Sequence, residues 1–209
     1  ANANKLLCRL LWKLSEQYSA HIITIDGGGL RNAIPREALA IIAIDKKYKM
    51  DVVAYIESYQ QTLAMEFNET DPEISVKAYQ EKAHKKAMSK TGRHTMLNVM
   101  YSLPNGVIKV FPNRPDMVDT SINISRWEAK DGHVKISCLL RSTADSSKED
   151  LKNMVKSVFL LGHIECIFDG NYPGWKTDLQ SPLLKTLTDV YKKLFNTLPE
   201  VKAVHAGLE

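Results

Sequence analysis

Leu6, Leu7, Leu10, Leu11 and Leu14 recur at steps of three and four, the spacing of a single helical face. They predict an amphipathic helix over 4–18, with Asn2 or Asn4 as its cap. Two short β-rich runs follow, 21–26 (HIITID) and 38–45 (ALAIIAID), on either side of a glycine-rich turn. Helical spacing returns over 50–67 (MDVVAYIESYQQTLAMEF), and 74–78 (ISVKA) alternates as a strand does. The order to this point is α-β-β-α-β.

The pattern then starts again. A helix is predicted near 91–101, and Asn105-Gly106 marks a tight turn. Residues 121–129 (SINISRWEA) and 133–141 (HVKISCLLR) alternate apolar and polar positions across Asp131-Gly132, a strong hairpin signal. A helix over 148–161 and a strand over 163–168 (HIECIF) complete a second α-β-β-α-β series. Two such series predict an α+β fold of two ferredoxin-like, split β-α-β halves, 1–80 and 81–170, forming a mainly antiparallel sheet with helices on one face. The opening strand of the first half is expected upstream of Ala1. Residues 171–182 (NYPGWKTDLQSP) read as a Pro/Gly linker, and 181–196 as a separate helix capped by Ser181 with Pro182 in its first turn. With one more strand over 201–205, the stretch 171–209 reads as a linker and the start of a different domain.

Composition narrows this picture modestly. The 209 residues are 44% hydrophobic and 25% charged, ordinary for a chain with a real core. The formal net charge of +4 is concentrated in 82–94 (KAHKKAMSKTGRH), which has no aromatic residue for base stacking. A solvated helix face is therefore preferred over a nucleic-acid surface. Cys8, Cys138 and Cys166 are odd in number, far apart and flanked by apolar residues, which predicts reduced thiols in a cytoplasmic protein. The longest apolar run, 38–44, is far below the ~18 residues of a membrane span, so no membrane partner is expected.

Self-sufficient catalytic machinery is missing from the pattern. The sequence has no HExxH, CxxC or GxSxG, and no glycine loop followed by Lys-Ser or Lys-Thr. DGGG at 26–29 invites comparison with a patatin-like oxyanion loop, but no GxSxG serine accompanies it as nucleophile. The six histidines, His21, His84, His94, His133, His163 and His205, lack ligand spacing. No catalytic residue and no metal ligand is assigned. The chemistry that does stand out lies in 27–38 (GGGLRNAIPREA), where Arg31 and Asn32 sit on a turn between two apolar strands. A guanidinium fork and a carboxamide suit a carboxylate or a peptide group, although a polar turn tip alone would read the same way.

The segments ANANKLL, LRNAIPREA, PNGVI, CLLRS, YPGW and HAGLE, in this order from Ala1 to Glu209, resemble the bacterial aminoacyl-histidine dipeptidases. These are the carnosine-splitting members of the co-catalytic zinc aminopeptidase family that also includes carnosinases and peptidase T. The chain departs from the family pattern at Asp26-Gly27-Gly28-Gly29, where an asparagine-led turn ending in threonine is expected. The resemblance implies a lid and dimerisation insert, with two zinc ions and the activating glutamate supplied by parts of a longer enzyme not present in this chain. It also implies a homodimer, a dipeptide substrate such as β-alanyl-histidine, and an insert inactive by itself. Residue by residue, Asn32 matches an asparagine proposed to reach the substrate region. Arg141 in CLLRS matches the arginine thought to hold the terminal carboxylate, and Gly207 in HAGLE a position of backbone approach to substrate. His205 and Glu209 take no role. The competing reading is a stand-alone ferredoxin-like module that binds amino acids or mediates regulatory dimerisation, an analogy of fold alone.

Overall fold

A computed structural model describes residues 1–82, 84, 86–175, 178 and 180–201. The elements in order are α1 (Ala3–Tyr18), β1 (His21–Gly28), β2 (Ala38–Ala43), a 3-10 turn (Lys46–Tyr48), α2 (Lys49–Glu66), α3 (Lys90–Ser102), β3 (Gly106–Phe111), β4 (Arg114–Lys130), β5 (His133–Ser142), α4 (Asp145–Leu161) and α5 (Pro182–Phe195). The five strands form a mainly antiparallel sheet in the order β2-β1-β4-β3, with β5 also paired to β4. The fold is α+β, as the sequence predicts.

Two compact units share this chain. The first comprises Ala1–Asn105, Ile122–Leu139 and Val155–Cys166, and the second Gly106–Ser121, Leu140–Met154 and Ile167–Glu209. In the first unit α1 packs on β1 and β2 and is flanked by α2 and α3. Asn2 caps α1, its side-chain oxygen accepting from the Lys5 amide, and Ser19 closes the helix in the left-handed conformation. The leucine face of α1 meets α2: Leu10, Leu14, Ala20, Val52, Ile56, Tyr59 and Leu63 form one buried cluster. Tyr59 keeps its hydroxyl satisfied there by donating to the Leu6 carbonyl at 2.9 Å. Arg9 grips both carboxylate oxygens of Glu66 at 2.6 and 2.9 Å over the edge of the same contact.

Three elements differ from the sequence pattern. Residues 74–78 form no strand: Gln60 of α2 donates to the Ile74 carbonyl and accepts from the Val76 amide, while Ile74 and Val76 pack on the α1–α2 cluster. One glutamine side chain takes the place of a neighbouring strand, so the alternation reports burial of one side rather than a ladder. Residues 163–168 likewise form no strand. His163 takes positive φ, and the Ile164 amide bonds back to the Phe159 carbonyl, closing α4 without starting a strand. In the second series a strand absent from the sequence reading, β3, precedes β4, and β4 begins at Arg114. The second series is therefore α-β-β-β-α.

The Asp131-Gly132 hairpin forms as the pattern predicts, with both residues at positive φ, the geometry of a two-residue turn matched to strand twist. In the second unit Pro182 opens α5, whose Ser181 makes no side-chain capping bond, contrary to the expected cap. The expected strand at 201–205 lies outside the described residues except for Val201.

Candidate functional site

The segment between β1 and β2 is built differently from a free glycine turn. Gly27 and Gly28 belong to β1, paired to Trp127 and Arg126 of β4, and of the three glycines only Gly28 takes positive φ. They are needed for close approach. A Cβ on Gly27 would meet the Asn4 side-chain oxygen at 1.9 Å, and one on Gly28 the Ser125 carbonyl oxygen at 2.0 Å. The turn proper is 29–37, with Leu30, Arg31, Asn32, Ala33 and Ile34 exposed and Pro35 buried.

The ends of this turn are tied down. The Gly28 amide donates to the Glu37 carbonyl at 3.2 Å, and the Ala3 amide to the Pro35 carbonyl at 3.0 Å. Arg126 donates to the Gly28 carbonyl and pairs with Asp26 at 2.6 Å and Glu128 at 2.5 Å. This follows from the register, in which Asp26 lies opposite Glu128 and Gly28 opposite Arg126. The hydrogen bond to Glu128, opposed by desolvation and aided by Asp26, raises the Arg126 pKa further above its ordinary value. The guanidinium is thus a permanent cation at the root of the turn.

Beneath the turn lies an asparagine cluster. The Asn2 amide donates to the Asn105 and Asn123 side-chain oxygens and to the Ile124 carbonyl, each at 3.1 Å. Asn123 donates to the Ala33 carbonyl at 2.7 Å, in the peptide unit just after the one that follows Asn32. Asn4 is fully buried and donates to the Gly27 and Ile124 carbonyls at 3.4 and 3.3 Å. Of this set the sequence singled out Asn2 and Asn4 only as alternative helix caps and Asn105 only as part of a tight turn. The available signal was Asn123 itself, a carboxamide between two isoleucines in an alternating strand.

Arg141 lies in the second unit, half-buried near the end of β5. The residues after it are anchored to β4. Ser142 shares a hydrogen bond of 2.9 Å with Thr120, and the Thr143 amide donates to the Asp119 carbonyl at 3.0 Å. The Thr143 hydroxyl also donates to the Asp119 carboxylate, which is buried and faces Lys109 at 3.4 Å. The strand end that carries Arg141 is thus held to β4 by these bonds.

Asn32 therefore belongs to the first unit and Arg141 to the second, while Gly207, His205 and Glu209 lie outside the described residues. Among the described residues, no group of three His, Cys, Asp or Glu side chains could hold a metal ion. All three cysteines are free thiols. No helix among the described residues is long and apolar enough to cross a membrane.

Comparison with known proteins gives these features a setting. Residues 1–71 match the family model of the peptidase dimerisation domain. All 209 residues align at 36% identity with the cytosol non-specific dipeptidase of Escherichia coli (strain K12), covering 43% of that protein. The fold superposes on a crystal structure of aminoacylhistidine dipeptidase from Vibrio alginolyticus with a TM-score of 0.92 and 28% identity, covering all of this chain and 42% of that one. The chain thus spans less than half the length of the relatives it matches.

Proposed function

We propose that this chain, whose residues 1–71 match the peptidase dimerisation domain and whose full length aligns with dipeptidases, is the lid and dimerisation part of a zinc-dependent Xaa-His dipeptidase, hydrolysing dipeptides such as β-alanyl-histidine. The observation that carries this reading is the correspondence over the full length of the chain, in sequence and in fold, to dipeptidases. In this reading residues 1–170 are the lid and dimerisation domain of a cytoplasmic homodimer, and 171–209 are the linker and return into a catalytic domain. The exposed apolar positions of α5, Leu183, Leu187, Val190, Leu194 and Phe195, support that return: they form a helical stripe without buried residues.

The described residues do not fit a zinc site. In this reading two zinc ions and the hydrolytic step belong to the portion of the enzyme outside this chain. The contribution of the residues here is binding and orientation. Arg141 takes the terminal carboxylate of the dipeptide in a bidentate pair, Asn32 hydrogen-bonds the peptide group, and Gly207 allows close backbone approach. Fixing a substrate in this way lowers a barrier through positioning alone.

The test is turnover of β-alanyl-histidine and other dipeptides by the longer protein containing this chain, with and without a metal chelator. Metal-dependent hydrolysis, with Arg141→Ala raising KM about tenfold or more, is the expected result. A protein that binds amino acids but cleaves no dipeptide would instead establish the regulatory module.

A further inference from the structure

The chain of amides from α1 to the turn has a directionality that a packing role does not require. The Lys5 amide donates to Asn2, Asn2 donates to Asn123, and Asn123 donates to the Ala33 carbonyl. Each carboxamide is oriented by both neighbours, since each gives its NH2 to an oxygen and presents its own oxygen to a donor. Asn4 lies beside this line at 0% exposure, its NH2 spent on two carbonyls and its oxygen without a hydrogen-bond partner, aimed at the bare Cα of Gly27. An isolated buried carboxamide oxygen is costly to leave unpaired. Its retention where a glycine has made room points to a demand on the backbone of 27–33 rather than on the stability of the core.

That demand is clearest at Ala33. Within the exposed tip 30–34 the Ala33 amide donates to the Leu30 carbonyl at 3.3 Å. The shorter bond, 2.7 Å, comes from outside the turn, from Asn123, and grips it one residue after Asn32. We propose that Asn123, held in register by Asn2 and Asn105, is a positioning residue that fixes the Asn32 turn for substrate, with Asn4 and Gly27 holding the strand from which the turn departs. This inference rests on the assignment of Asn32 to the substrate region.

The experiment uses the longer dipeptidase containing this chain. Asn123→Asp keeps the shape and the oxygen facing Asn2 but removes the donor to Ala33. Limited trypsin digestion, with cleavage after Arg31 and Arg36 mapped by fragment mass, reads the order of the turn directly. Asn123→Asp is expected to speed cleavage after Arg31 about fivefold, the weight of one hydrogen bond, with an unchanged melting temperature. It is also expected to lower kcat/KM on a dipeptide by about tenfold to a hundredfold. Asn123→Gln, which retains an amide donor, should recover part of both losses, and Asn123→Ala should reproduce them should the aspartate variant fail to fold.

Unchanged cleavage after Arg31 in the folded Asp and Ala variants overturns the inference, whatever the activity. Faster cleavage with unaltered turnover overturns it equally, because the order of the turn would then serve no reaction. Neither result bears on whether the wild-type protein is a dipeptidase, which its own turnover decides.

Discussion

Gly28 and Ser125 approach so closely that a Cβ on the glycine would stand 2.0 Å from the serine carbonyl oxygen, and Gly28 also sits at φ +74°. The strand pair at the root of the Asn32 turn therefore admits no side chain there. Gly28→Ala is expected to cost about 2–4 kcal/mol, combining left-handed backbone strain with a clash against the backbone. Gly29, around which a Cβ meets nothing within 4 Å, should accept alanine with a change below about 0.5 kcal/mol. Equilibrium urea unfolding of the two variants checks the contrast, and equal midpoints would contradict it.

Leu63 is fully buried where α2 meets the leucine face of α1. Removing its isobutyl group leaves a cavity between two helices already pinned by the Tyr59–Leu6 bond, so the site cannot collapse freely. Leu63→Ala is expected to destabilise the chain by about 2–5 kcal/mol. The same truncation at the exposed Leu39 should be nearly silent in a thermal melt.

The Arg9–Glu66 pair makes stability depend on pH. The hydrogen bond from Arg9 holds the Glu66 carboxyl below its ordinary value, against a smaller opposing effect of burial. Its contribution is present above the unfolded glutamate value of about 4.3 and is lost as pH falls through the lower folded value. Both side chains are about two-fifths exposed, which limits the gain to below about 1 kcal/mol. Glu66→Gln should therefore lower the urea midpoint slightly at neutral pH and leave it unchanged below the carboxylate range; a deficit that persists in acid would rule the pair out as its source.

Burial pushes the Cys8 and Cys138 thiols up to about 12, with nearby Lys5 opposing it in both and Cys166 adding to it in Cys138. At neutral pH almost no thiolate exists at either position, and the thiolate is the reactive form. A thiol reagent applied to the native protein should label Cys166 first, reaching Cys8 and Cys138 only after denaturation. Rapid native labelling of Cys8, followed by peptide mapping, would refute this.

Local signals were legible wherever the physics is local. The cap at Asn2 needs only its own helix, the Asp131-Gly132 turn only two residues able to take positive φ, and Pro182 only its fixed φ at the first turn of α5. The leucine spacing of α1 likewise required a partner face, and α2 supplied it. At two other segments the expected strand partner was absent. The alternation at 74–78 met the Gln60 side chain instead of a strand, and that at 163–168 followed a helix closure that formed no ladder. Strand β3, mostly exposed, carried little alternation to read.

The candidate site divides along the same line. That a guanidinium and a carboxamide occupy a glycine-rich turn, and that an arginine ends a strand, is stated by the order of the residues alone. That Gly27 is bare because Asn4 lies against it, and that Asn123 reaches the Ala33 carbonyl across 90 positions of chain, was decided by the pairing of β1 with β4. Hydrogen bonds between residues so far apart exist only after strand register is set, and register is a property of the folded sheet.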